Sequence, residues 1–384
     1  MKQARVLELQ KKWLKELGID KETLARLTVK FPRLPGYSPG RVREKWQKEL
    51  GIDKKILAQA IQKHPILAGL SPARVRDEWF KELGIDRKIL ARAIQKHPPL
   101  AGYRPGRVRD GWFKQLGIDK KALVHMIVKF PQLAGYNPGR VRDGWFKEFG
   151  INKKALGKII LKKPPTAGLS PGRVRHEWFR ELGIDKGALG QATVRFPSLP
   201  GYSPGRIRDE WLRELRIDKK TLAGVILKYP SLAGLSPGRV GDQWLKELGI
   251  GKKTLAGLIV KYPRLAGRSI KNNLRPKLDL LKGMSIEPSK IINGLIKLAS
   301  KNLKLLQLIM TVSKRNAIAI VTTGKLVSTY NRVNKKVGDL TGQSAGCWIK
   351  QHKDNEILLK SVVKEILGVG PKVMKLKLKK FARR

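Results

Sequence analysis

A single cysteine, Cys347, stands in this chain of 384 residues, so no internal disulfide can form and a reducing compartment is expected. Acid is scarce as well: 30 Asp and Glu face 82 Lys and Arg, a formal net charge of +52. The excess is spread over the body of the chain, which predicts a polyanionic partner, nucleic acid first. No apolar run approaches ~18 residues, so no membrane span is expected. The N-terminus shows neither a secretory apolar core nor a long Arg/Ser-rich transit segment, which predicts an intracellular protein or a mature chain. The five histidines, His64, His97, His125, His176 and His352, have no Cys or carboxylate at ligand spacing. There is no Walker A or dinucleotide glycine pattern. The acids sit mostly at helix caps or beside lysines, a poor setting for paired acid–base work. These absences predict no enzyme, no metal, no cofactor and no small-molecule substrate.

What is abundant is repetition. A tryptophan recurs every 33 residues, at Trp13, Trp46, Trp79, Trp112, Trp145, Trp178, Trp211 and Trp244. A fixed period of this size marks a solenoid of stacked units. In the unit Pro39 to Ser71, Ser38 and Pro39 open a helix, Val42, Trp46 and Leu50 form its apolar stripe, and Gly51 ends it. Asp53 caps a second helix whose apolar face holds Leu57 and Ile61. Pro65 stops that helix, and Ala68-Gly69 turns into the next unit. One unit alone cannot bury its Trp and Leu, whereas stacked neighbours can. The Trp column therefore reads as core, not as a base-stacking surface.

The pattern changes near residue 270. The expected organisation is an eight-unit array over 1–269, a degenerate ninth repeat over 270–300, a helical capping region over 301–370 and a basic tail over 371–384. The ninth unit lacks the Trp and carries Pro276, but Leu278, Leu281, Ile291, Ile292, Leu295 and Ile296 keep a helical pattern. Residues 301–330 read as two short helices or one irregular segment, 337–342 as turn-rich, and 355–367 as a last amphipathic helix.

The recurring Leu50-Gly51-Ile52, followed by a helix ending in Lys63-His64-Pro65-Ile66-Leu67, resembles the mitochondrial transcription termination factor (mTERF) family, as does the later Leu274-Arg275-Pro276-Lys277-Leu278-Asp279-Leu280-Leu281-Lys282. The resemblance covers roughly residues 1–300. It implies an all-α superhelix of two helices and a 3₁₀ turn per unit, binding nucleic acid along a concave basic face. It also implies an organelle, mitochondrion or plastid. The uniform units and the absence of a visible presequence leave a bacterial cytoplasm open.

Aligned with one another, the units place cations in columns. One follows the Trp: Lys15, Lys48, Lys81, Lys114, Lys147, Arg180, Arg213 and Lys246. A second opens the second helix: Lys21, Lys54, Arg87, Lys120, Lys153, Lys186, Lys219 and Lys252. A third ends it: Lys30, Lys63, Lys96, Lys129, Lys162, Arg195, Lys228 and Lys261. A fourth runs along the first helix: Arg41, Arg74, Arg107, Arg140, Arg173, Arg206 and Arg239. Such rails can follow a regularly spaced phosphate backbone; equally, a lysine at a helix end suits the helix dipole and others offset a nearby Glu. The third and fourth columns are the candidate backbone contacts.

Lys55, Gln59 and Lys63 share one face of the second helix. The middle position varies along the array: Arg26, Gln59, Arg92, His125, Lys158, Gln191, then Gly224 and Gly257. The six side chains can read base edges, Arg or Lys on guanine and Gln on adenine. A solvated position free to drift is the other reading. The residue before each stopping proline is mostly planar (Phe31, His64, His97, Phe130, Lys163, Phe196, Tyr229, Tyr262), which suggests packing against the next unit, with base stacking second. The leading expectation is a monomeric solenoid on double-stranded DNA that regulates or terminates transcription. The alternatives are an RNA binder of ribosome assembly and a protein-binding scaffold.

Overall fold

The computed structural model describes residues 2–282, 297–299, 301–315, 323–341, 343–352 and 355–368, and every regular element among them is helical. The protein is an all-α solenoid of helix–helix–3₁₀ units. The chain divides into two compact units, residues 1–205 and 206–384.

In the first unit the repeat is uniform. The second repeat comprises a first helix, Pro39–Leu50, a second helix, Lys54–Lys63, and a 3₁₀ segment, Pro65–Gly69. Local chemistry sets these bounds. The carboxylate of Asp53 accepts from the Ile56 N–H at 2.8 Å, and Asp20, Asp86, Asp119 and Asp185 do the same in their repeats. Asn152 substitutes for the Asp with a 2.9 Å bond from the Ala155 N–H. Gly51 closes the first helix in the left-handed region at φ +68°. Where a serine precedes the first helix, it plays a smaller part than its residue type suggests. Ser71 accepts from the Arg74 N–H at 3.5 Å, whereas Ser38 and Ser170 cap nothing through their side chains. The proline that follows, with φ fixed and no N–H to satisfy, suffices to start the helix.

Successive first helices pack side by side from Lys2–Leu17 through Pro171–Leu182. Among the second helices, Lys54–Lys63 contacts Arg87–Lys96, Arg87–Lys96 contacts Lys120–Lys129, and Lys153–Lys162 contacts Lys186–Arg195, while the 3₁₀ segments from Leu34–Gly36 through Pro164–Gly168 form a third row. Between the two helix layers lie Trp13, Trp46, Trp79, Trp112, Trp145 and Trp178, each at most 1% exposed. Their indole N–H groups find no hydrogen-bond partner among the described residues, so the column acts as apolar bulk.

Ion pairs staple one repeat to the next. Arg43 meets Glu16 at 2.8 Å, Arg109 meets Glu82 at 2.5 Å and Arg175 meets Glu148 at 3.0 Å. Arg76 meets Glu49 in the same way, and Arg142 donates to the Gln115 side chain. These arginines are one turn from the Trp, on the side facing the preceding repeat.

The second unit holds the seventh and eighth repeats and the C-terminal region. Trp211 and Trp244 are buried as their counterparts are. Gly241 stands where the stapling arginine would be. Glu214 turns instead to Lys252, 3.1 Å away, and that hydrogen bond above all holds its carboxyl below the ordinary range. Arg216 occupies the position held by glycine in the other repeats, at φ +55°. An L-residue in this region costs about 1 kcal/mol, so Arg216→Gly is expected to stabilise the chain by about that amount in urea unfolding.

The ninth unit begins with a π-turn, Ile270–Leu274, and continues as a helix, Arg275–Lys282, with Pro276 in its first turn, where a missing N–H costs nothing. Lys277 takes the place of the tryptophan and is fully buried. Its Nζ donates to Asn273 Oδ1 at 2.7 Å and to the Ala299 carbonyl at 3.1 Å. Burial first, and the charge of Arg268 second, push its pKa from 10.5 down to about 8. Below that value the amine is charged in both the folded and the unfolded chain. Between about 8 and 10.5 only the unfolded chain keeps the proton, so stability rises with pH across that window. Lys277→Met is expected to remove this contribution, seen as a smaller rise in thermal stability between about pH 7.5 and pH 10.

Leu278 and Leu281 are buried as their pattern requires, whereas Ile291, Ile292, Leu295 and Ile296 and the basic tail over 371–384 lie outside the described residues. Two helices, Leu303–Arg315 and Thr323–Thr341, occupy the region read as short helices or irregular chain. The second corrects the expectation of a turn at 337–342. Val333 and Val337 are buried one helical turn apart, and that packing outweighs the turn preference of Gly338 and Asp339. The last expected helix runs Glu356–Leu367.

Candidate nucleic-acid interface

The second helices carry almost pure positive charge. From Lys54–Lys63 to Lys252–Lys261 none contains an Asp or Glu; only the first repeat has one, Glu22. The third-column residues Lys30, Lys63, Lys96, Lys129, Lys162, Arg195, Lys228 and Lys261 are all exposed. Lys30, Lys63, Lys96, Lys129, Lys162, Lys228 and Lys261 form no ion pair with a described carboxylate. Their own helix C-termini favour charge there, but seven uncompensated cations on one type of helix remain a strong field.

The variable column adjoins them. Arg26, Gln59, Arg92, His125, Lys158 and Gln191 are exposed, each one helical turn before a third-column cation. In the fifth repeat the whole stripe is gathered in one place. Lys154, Lys158 and Lys162 line a groove of about 370 Å³, closed on its far side by Val194 and Pro197 of the sixth repeat.

The fourth column lies elsewhere. Its seven arginines are exposed on the first helices, and three face a glutamate one turn on: Arg74–Glu78 at 2.7 Å, Arg173–Glu177 at 3.4 Å and Arg206–Glu210 at 3.0 Å. Arg41, Arg107, Arg140 and Arg239 make no ion pair with a described carboxylate. Arg107 lines a separate groove of about 700 Å³ with Tyr103, Arg104 and Tyr136. The groove at Lys158 and Lys162 and the groove at Arg107 are thus separate.

The profile of one protein family, mTERF, matches residues 1–210, more than half of the chain. The chain belongs to the mTERF family. The search of curated proteins finds no match. Membership supports the coarse assignment that charge suggests, a helical-repeat protein that binds nucleic acid. No helix among the described residues is long and apolar enough to cross a membrane.

In this mTERF array the second cation column proves to be structural at several positions. Lys54 Nζ donates to the Lys15 carbonyl at 2.7 Å, Lys153 Nζ to the Lys114 carbonyl at 2.9 Å, and Arg87 to the Gln47 carbonyl at 3.3 Å. Each of these carbonyls lies at the end of the preceding repeat's first helix; those of Lys15 and Lys114 are passed over by the helix's closing bonds, whereas that of Gln47 also accepts from the Gly51 N–H. Four of the planar residues before the prolines pack within their own repeat on a tyrosine six positions later: Phe31 on Tyr37 at 6.0 Å and Phe196 on Tyr202 at 6.1 Å, nearly parallel, and His97 on Tyr103 and Phe130 on Tyr136, tilted. The tyrosine then makes the contact to the next unit. A Cβ on Gly69 would lie 2.5 Å from the Tyr37 hydroxyl, and Gly135 and Gly168 receive Tyr103 and Tyr136 alike.

The first helices present a different surface. Phe80, Phe113, Phe146 and Phe179, each just after its tryptophan, are 60–63% exposed. The sequence carries a signal for this row, since an apolar residue beside the Trp cannot share its stripe. Asp77, Asp110 and Asp143 stand on the same helices, so this layer is mixed in charge and the second-helix layer is not.

Proposed function

We propose that this mTERF protein binds double-stranded DNA along the second helices of its repeats and acts in the regulation or termination of transcription. The observation that carries the reading is the division of charge between the two helix layers. The stapling arginines of the first helices are spent on Glu, while the third-column lysines of the second helices face solvent with no described carboxylate as partner. A series of such cations, repeated at a fixed step within the first unit, suits a polymer whose phosphates are also regularly placed, and a duplex meets that condition better than a flexible strand. Similarity to the mTERF family supports the role in transcription. Crosslinking in the native cell, followed by purification of the protein and nuclease treatment of what travels with it, tests the reading. The expected cargo is destroyed by a duplex-specific DNase and survives RNase. Recovery of RNA alone would overturn the DNA assignment.

A further inference from the structure

We infer that Arg26, Gln59, Arg92, His125, Lys158 and Gln191 are sequence-reading side chains that sample duplex DNA at intervals of about three base pairs, and that the seventh and eighth repeats carry no reader. The inference rests on the duplex binding proposed above and adds to it where specificity lies.

The placement is the first support. Each of the six is exposed and precedes an exposed cation by one turn on the same helix, so a cation seated on a phosphate brings its neighbour to the edge of the groove. Lys158 shows the arrangement directly, between Lys154 and Lys162 in one groove. Availability is the second. Arg92 makes one long bond, Nε to its own helix's Lys88 carbonyl at 3.4 Å, and no described carboxylate engages its terminal nitrogens. Its fork is therefore open for the two acceptors of guanine. Arg26 and Lys158 carry the same preference, and Gln59 and Gln191 match adenine.

The interval follows from packing. The second helices of the second and third, third and fourth, and fifth and sixth repeats touch, and packed helices sit about 8–10 Å apart. Base pairs in a B-form duplex are spaced at about 3.4 Å, so one repeat steps over about three of them. A single strand with its bases splayed, read one base per repeat, would instead show consecutive informative positions. In the last two repeats the column is Gly224 and Gly257. A Cβ at either would meet nothing within 4 Å, so packing does not demand the glycines and no side chain reaches out. Lys228 and Lys261 remain there as anchors.

Selection from a randomised DNA duplex with the full chain tests this. The wild type is expected to give informative positions about three base pairs apart. Arg92→Gln should change preference at one of them, by about 5- to 150-fold, and leave the others. Lys96→Gln, four residues away, should change no position and lower the salt slope by about 1. Gly224→Arg should add a guanine-preferring position. Salt-dependent duplex binding with identical preferences for wild type and Arg92→Gln overturns the reader role while leaving the proposed function standing. Informative positions at consecutive bases overturn the interval. No binding to any duplex refutes both readings.

Discussion

Raising the salt from about 50 to about 200 mM is expected to weaken nucleic-acid binding by ~10³–10⁵-fold. The size follows from the third column. Each neutralised phosphate contributes about 0.9 to the slope of log affinity against log salt, so eight contacts give a slope near −7 and roughly a 10⁴-fold loss over that range. Few protein–protein contacts respond so steeply, because their charges are paired across a partly dry surface. A titration that stays nearly flat would remove the role of the second-helix cations and favour a protein partner. Magnitude also discriminates within the mTERF array. Were the second column to add its own contacts, the slope would be steeper still, yet Lys54, Arg87 and Lys153 already serve carbonyls of the preceding repeat.

Truncating Trp145 to Ala is expected to cost about 3–5 kcal/mol in urea unfolding. The indole is fully buried in the fifth repeat, its ring centroid 5.2 Å from that of Phe149. Around it the fit is close: a Cβ on Gly190 would lie 2.6 Å from the Phe149 carbonyl oxygen, so the helices cannot easily close over a void. Because stacked repeats stabilise one another through their neighbours, loss in the middle of the array is felt on both sides. Trp145→Phe, which removes an indole N–H that has no partner among the described residues, should cost less than Trp145→Ala. A Trp145→Ala protein with wild-type stability and lost binding would mean that the indole meets the ligand and not the core.

Much of this is legible in the sequence because the repeat multiplies weak local signals. A single Asp before a helix says little, but an Asp or Asn at the same place in seven of eight units, before a Trp-centred core, fixes both the cap and the period. The third and variable columns were legible for the same reason, since exposure and spacing on a helix follow from its period. What remained hidden involves partners far along the chain or on the backbone. Arg43 and Glu16 are held together by stacking, and the acceptor of Lys54 is a carbonyl, which no side-chain pattern reveals. The ninth unit shows the converse. Lys277 sits in the Trp column, yet residue type alone predicts an exposed amine, and only its two acceptors explain how it is buried. At 337–342 local turn preference gave way to the helix Thr323–Thr341, because Val333 and Val337 have a core to enter.

The position of the polyanion can be decided by two variants of equal charge. One replaces Lys63, Lys96, Lys129 and Lys162 on the second helices with Gln; the other replaces Lys48, Lys81, Lys114 and Lys147 on the first helices of the same repeats. All eight lysines are exposed, so both proteins should fold, and each loses four positive charges. Measuring duplex affinity as a function of salt separates location from net charge. The second-helix variant is expected to lose about 3–4 from its salt slope and most of its affinity, while the first-helix variant keeps the wild-type slope. Equal losses in the two variants, or a larger loss in the first-helix variant, would contradict a nucleic-acid interface on the second helices.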